Sequence, residues 1–312
     1  MKVLIIGAGS MAREHCKAFT AQPGVEIVGI HSRTTAKAEA LAAEFGISKV
    51  ITKPADMYRE TEADIAVITV NIPAMLDMAT EVVKHPWVCL FEKPVGLNYA
   101  EAIEIEKRAA AGKAKCFVGL NRRHYSSTRQ VLAALSESDE KRIIQVFDQE
   151  DPHIARVIDG HPDAVIKNWM YANSIHMIDY FCVLGRGPVT GVTPVVAWNP
   201  DQPELVVTRI DFASGDVGIY TAVWDRPGPW AVTVTTASRR WEMRPLEQAT
   251  VQQQGTRKQV PLDIEQRDID YKAGFHLQAE YAVKAAQQLP HHLPTLADSL
   301  ATMQLIHSIY EA

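Results

Sequence analysis

Four stretches of this 312-residue chain place chemically capable residue types at spacings that matter. The first is Gly7-Ala8-Gly9-Ser10-Met11-Ala12, a G-x-G-x-x-A that follows the apolar run Val3–Ile6 and opens a helical pattern. Gly7 permits a tight turn, Gly9 lets backbone approach a pyrophosphate, and Ala12 lets the helix pack close to the strand. A helix N-terminus adds free N–H groups and partial positive charge, so the loop suits a dinucleotide's diphosphate. The alternative is a plain strand-to-helix turn. His15, one turn into the helix, reads as a packing residue.

The second stretch lies where NAD-preferring sites place an Asp or Glu for the ribose 2′-OH. Here the chain reads Gly29-Ile30-His31-Ser32-Arg33-Thr34, with Lys37 following and no acid. A carboxylate would repel a 2′-phosphate, whereas a hydroxyl beside a guanidinium would bind one. The expected cofactor is therefore NADP, with NAD possible. Solvated surface charges at a helix start are the alternative for Arg33 and Lys37.

The third is Phe91-Glu92-Lys93-Pro94, after the apolar run Val88–Phe91. In a doubly wound sheet, ligands sit beyond the carboxyl ends of the strands, which aims Lys93 into the cofactor crevice. Pro94 disfavours helical conformation at Lys93. Burial near a cationic ring would lower the lysine pKa and make proton transfer feasible near neutrality. A surface lysine paired with Glu92 stands as the alternative.

The fourth is Asn173–Tyr180. Asn173 is a good N-cap, Ile175, Ile178 and Cys182 form an inward stripe, and His176, Asp179 and Tyr180 fall on another face. The helix dipole disfavours imidazolium there, so His176 is expected to be largely neutral. Taken alone, a helical histidine is more often structural.

These residues need a scaffold. Val3–Ile6, Ile27–Ile30, Ile65–Val70, Val88–Phe91 and Cys116–Val118 read as buried strands, separated by helical patterns at 11–21, 36–45, 73–84 and 99–111. That alternation predicts an N-terminal Rossmann-type, doubly wound parallel sheet over residues 1–121. Residues 122–312 read as an α+β domain. A helix at 127–135, a strand at 143–148 and a helix near 174–184 precede a series of β-like runs from Val192 to Gln254, which predict a large, mostly antiparallel sheet. Two helices, 273–288 and 296–311, close it.

With these motifs placed, the chain resembles the Gfo/Idh/MocA family (glucose-fructose oxidoreductase, inositol dehydrogenase, rhizopine catabolism). GAGSMA, the EKP tripeptide and Gly119-Leu120-Asn121-Arg122-Arg123 carry the resemblance, with Leu293-Pro294-Thr295 a softer match. It implies that Lys93 is the catalytic lysine and also touches the nicotinamide ribose. Thr69, Val70, Asn71 and Pro73 would wrap the cofactor, with Glu92 and Asn121 beside it, although the family's wording is altered at 69–73. It also places an active-site histidine at His176. The family often carries an Asp four residues earlier, where this chain has Ala172; that departure favours Lys93 as the principal proton-transfer group.

Arg122, Arg123, Tyr125, Trp169, Asn173 and Tyr180, with Tyr171, suggest a substrate pocket for hydroxyls, anions or a ring. Arginines paired with the domain's own acids are the alternative. The implied activity is hydride transfer to or from a secondary alcohol or ketone of a sugar, sugar-nucleotide or polyol. The rivals are a cofactor-retaining glycosidase of the same fold and a non-catalytic NAD(P)-binding sensor. A homodimer or homotetramer through the C-terminal sheet is expected by resemblance. A net charge of -5 leaves no basic footprint for nucleic acid, and the apolar runs are too short to span a bilayer. Four scattered cysteines without CxxC read as free thiols of a cytoplasmic protein, and His291-His292 as a loop rather than a metal site.

Overall fold

A computed structural model describes residues 1–311. The chain divides into two compact units, one of Met1–His124 with Arg267–Leu300, the other of Tyr125–Gln266 resuming at Ala301.

The first unit is built on six parallel strands: β1 (Lys2–Ile6), β2 (Glu26–His31), β3 (Val50–Ile51), β4 (Ile65–Ile68), β5 (Val88–Glu92) and β6 (Lys115–Gly119). Their spatial order is β3-β2-β1-β4-β5-β6. The order reverses between β1 and β4, which opens a crevice at the carboxyl ends of those two strands. Helices cover both faces, so the central strands are apolar without alternation: Val3 to Ile6 and Ile65 to Ile68 are fully buried. The run 65–70 yields a strand only to Ile68, and the Thr69 hydroxyl donates to Ile6 O at 3.0 Å.

The returning segment explains why the unit is discontinuous, where sequence alone suggested a single boundary at 121/122. The helix Phe275–Ala286 buries Phe275, Ala279 and Ala282 in the same core as Ala12, Cys16 and Phe19 of the helix Ser10–Thr20. Alanines on both helices allow close approach, and Phe19 is fully buried in the shared core. Truncating a buried phenylalanine of this kind costs about 3–5 kcal/mol. Phe117 also bridges Thr295, so β6 is tied to the returning chain.

The second unit holds eight strands: β7 (Ile143–Glu150), β8 (Val189–Val196), β9 (Leu205–Phe212), β10 (Val217–Trp224), β11 (Ala231–Thr235), β12 (Arg239–Met243), β13 (Ala249–Gln253) and β14 (Gln259–Pro261). They lie in the order β14-β13-β12-β11-β7-β10-β9-β8, antiparallel except for β7 beside β10. Side chains alternate cleanly. Ile144, Val146, Tyr220, Ala222, Val206 and Ile210 are buried, whereas Ile143, Phe147 and Leu205 stand on the exposed face. The helix Ile175–Leu184 packs on the buried face and sends Phe181 against Tyr220.

Candidate functional site

In the first unit the phosphate loop has the geometry its glycines imply. Gly7 sits at φ +119°, where a side chain is strained, and a Cβ there would collide with the carbonyl and hydroxyl of Thr69. Its N–H donates to His31 O at 2.7 Å, and Thr69 N–H to Ile6 O at 2.7 Å, so the ends of β2, β1 and β4 are laced together. Gly9 differs: a Cβ there would meet nothing within 4 Å. It caps the helix Ser10–Thr20 without a side-chain bond, and no acid occupies the first turn. The first intrahelical bond is Arg13 N–H to Gly9 O, which leaves the N–H groups of Ser10, Met11 and Ala12 without intrahelical acceptors. An open cradle, a bare glycine and unspent donors fit a dinucleotide's diphosphate.

Beside it, a cavity of about 400 Å³ is lined by Gly9, Ser10, Arg13, Lys37 and Leu41, among others. Arg33 and Lys37 are exposed at the end of β2, and Arg33 Nη2 donates to Asn71 Oδ1 at 2.8 Å. That bond joins the two strand ends on which Ser32, Thr34 and the 69–73 segment stand. Ser32 Oγ accepts from Thr34 N–H at 3.3 Å, and Pro73 lies in a 3₁₀ turn, Ile72–Ala74. The end of β2 therefore presents a hydroxyl, a guanidinium and an ammonium, and no carboxylate.

Glu92 ends β5 and Lys93 follows at the carboxyl edge, half-buried, with the Lys93–Pro94 peptide cis. Glu92 is buried and bonds His15 Nε2 at 2.7 Å. His15 is thus more than packing: it ties the phosphate-loop helix to the strand that carries Lys93, while its ring lies 4.8 Å from that of Phe275. Nothing in the sequence separation of 77 residues announces this contact. Asn121 is buried and donates to Ala273 O at 3.1 Å, and Arg123 forms an ion pair with Asp298 at 3.7 Å. The pairing reading thus describes Arg123. Arg122 is buried in the 3₁₀ turn Asn121–His124.

In the second unit the histidine segment departs from a simple capped helix. Residues Met170–Ser174 form a π-helical turn that runs directly into the helix Ile175–Leu184, so Asn173 lies within helical backbone and does not cap it. The reason is Glu150 on β7. Its Oε2 accepts from Trp169 Nε1 at 2.6 Å and from Asn173 Nδ2 at 2.8 Å, and its Oε1 from Ser174 Oγ at 2.9 Å. Asp148, two residues earlier on the same buried face, accepts from Tyr220 OH at 2.7 Å, and that hydroxyl lies 2.9 Å from the hydroxyl of Tyr310. Burial, then the neighbouring Asp148 charge, pushes the Glu150 carboxyl well above the usual carboxylate range.

His176 is half-buried. On the same helix Asp179 accepts from Thr302 Oγ1 at 2.7 Å and Tyr180 OH lies 3.3 Å from Thr128 Oγ1, both side chains buried inside the unit. Tyr171 is also buried, its hydroxyl donating to Glu311 at 2.8 Å, and Tyr125 is the buried N-cap of the helix Ser126–Leu135.

The family model for the oxidoreductase family with an NAD-binding Rossmann fold, GFO_IDH_MocA, matches residues 1–120. That match covers 120 of the chain's 312 residues and lies within the six-stranded unit. Inositol 2-dehydrogenase of Rhodococcus jostii is 27% identical over 208 residues, a match covering 65% of this chain and 55% of that enzyme. Among solved structures, the chain is similar to UDP-N-acetylglucosamine 3-dehydrogenase from Acidithiobacillus ferrooxidans, with a TM-score of 0.81 at 17% identity over 100% of this chain and 97% of that one. It is also similar to levoglucosan dehydrogenase in complex with NADH and levoglucosan, with a TM-score of 0.82 at 15% identity over 99% and 96%. At these identities the structural likeness is one of fold, and it runs past the matched 120 residues to the whole chain.

Proposed function

We propose that the protein is an NAD(P)-dependent oxidoreductase, with NADP preferred, acting on a secondary alcohol or ketone of a sugar, sugar-nucleotide or polyol. The observation that carries this is the carboxyl edge of the parallel sheet, where the open Gly9 cradle and Lys93 stand on one Gfo/Idh/MocA scaffold. When bound, the nicotinamide supplies the carbon that gives or takes hydride. The chain's own residues do the rest. Ser10, Met11 and Ala12 N–H groups hold the diphosphate, Thr69 and Asn71 border the nucleoside, and Ser32, Arg33, Thr34 and Lys37 hold a 2′-phosphate. Lys93 Nζ gives or takes the substrate hydroxyl proton, and His176 orients the hydroxyl or shares that proton. The relatives' names, an inositol dehydrogenase and a UDP-sugar dehydrogenase, support a polyhydroxylated substrate.

Two measurements test this. Fluorescence titration is expected to show NADPH binding at least about tenfold tighter than NADH, a difference of roughly 1.4 kcal/mol; equal affinities refute the assignment of Arg33. A screen of polyols, sugars and nucleotide-sugars at 340 nm should identify a substrate that turns over the cofactor, and an inert panel despite tight NADPH binding would refute the catalytic reading.

A further inference from the structure

We propose that Glu150, paired with Asp148, is a positioning residue that clamps the Trp169–Ser174 turn and thereby sets where Asn173 and His176 stand. This rests on His176 serving the proposed reaction. Three separate donors from one short segment converge on a single carboxyl: the Trp169 indole, the Asn173 amide and the Ser174 hydroxyl. Ser174 lies within helical backbone, and its buried hydroxyl donates across to Glu150.

The preceding turn is π-helical, a conformation uncommon enough to need local support and concentrated at functional sites. The support is Glu150. Its side chain lies on the buried face of a central strand, which is itself a rigid element. No acid stands at Ala172, within the segment, so the carboxylate reaches it from the sheet.

Asp148 and Glu150 are both buried, and the groups facing them are Tyr220, Tyr310, Trp169, Asn173 and Ser174. Two carboxyls in one dry site do not both ionise readily, so the pair holds one proton between them near neutral pH. Burial, then the Asp148 charge, push the Glu150 carboxyl well above the usual carboxylate range, which favours retention of that proton by the pair. The segment is thereby held by a carboxyl pair that carries a single negative charge.

The test follows the Trp169 indole N–H resonance by NMR, assigned with Trp169→Phe, beside steady-state kinetics on a substrate from the screen and NADPH titration. In Glu150→Ala the resonance is expected to move, kcat to fall about tenfold or more, KM to change less, and NADPH affinity to stay. Glu150→Gln is expected to recover the resonance and most of kcat, because its oxygen accepts from Trp169 and Asn173 while its amide donates to the Ser174 hydroxyl. Wild-type kcat with an unmoved resonance in Glu150→Ala overturns the proposal, as does a glutamine variant as impaired as the alanine one. Should Glu150→Ala not fold, the wild-type resonance still decides. It is expected to titrate above the ordinary carboxylate range, and titration within that range overturns the shared proton. Loss of NADPH binding in the wild type would sink the cofactor reading while leaving the Trp169 measurement to stand or fall separately.

Discussion

In the proposed reaction, Lys93 is the residue on which the chemistry turns. It follows the buried Glu92 at the end of a central strand, and Glu92 is engaged by His15. The bland reading of an EKP lysine, a surface cation neutralised by its neighbouring acid, sits level with the catalytic one in the sequence; in the structure that acid is buried and bonded to His15. Lys93→Ala is expected to lower kcat by about 10²–10⁴-fold, the usual cost of losing a positioned acid-base group. NADPH affinity should change far less, and isothermal titration beside rate measurement checks both. Wild-type turnover in that variant would remove Lys93 from the reaction. Arg33→Ala should in turn erase most of the NADPH-over-NADH preference, read as the ratio of the two dissociation constants.

The helix that carries His176 is secured at both ends. Glu150 holds its start, and Arg142 holds its finish by donating Nη1 to Leu184 O at 2.8 Å. Arg142 N–H and Arg186 in turn grip Asp216, which is fully buried and accepts from Arg186 Nε at 2.9 Å and Nη2 at 2.8 Å. Burial alone would raise the Asp216 carboxyl, but the Arg186 fork and the Arg142 amide hold it down to about 2, from an ordinary value of 3.8. A carboxyl whose pKa is lower in the folded state binds fewer protons there. The stability it contributes is therefore present above about pH 4 and lost as pH falls through about 2. Asp216→Asn is expected to remove about 2 kcal/mol at neutral pH, measured by urea unfolding, and to flatten the acid limb of the stability curve.

The start of this helix was the least legible element in the sequence. The strand pattern at 143–148 is plain, but the true strand runs to Glu150, and acids at two inward-facing positions read as a strand running out into solvent. Only the fold shows that three polar side chains from residues 169–174 come to meet them. By contrast, the phosphate loop was legible because its glycines, strand and helix are consecutive in the chain.

At the scale of the molecule, the two sheets follow the patterns that alternation dictates: unbroken apolar strands where both faces are covered, and period-two strands where one face is open. The open face of the eight-stranded sheet presents Ile143, Phe147 and Leu205 at 45%, 42% and 38% exposure. We propose a second copy of the chain as its occupant. Phe147→Glu is expected to reduce the mass measured by light scattering to that of one 34.6 kDa chain. An unchanged mass would move the interface elsewhere or leave the wild type monomeric. Less visible in the sequence was the return of residues 267–300 to the first unit, because it rests on packing between helices more than 250 residues apart. That return has a temporal meaning during synthesis. The first unit is translated first but lacks part of its interior until the helix Phe275–Ala286 emerges, so the cluster around Ala12, Cys16 and Phe19 stays incomplete while the whole second unit is made. A nascent chain halted at residue 124 is expected to be digested quickly by protease, and one that runs past residue 300 to resist it.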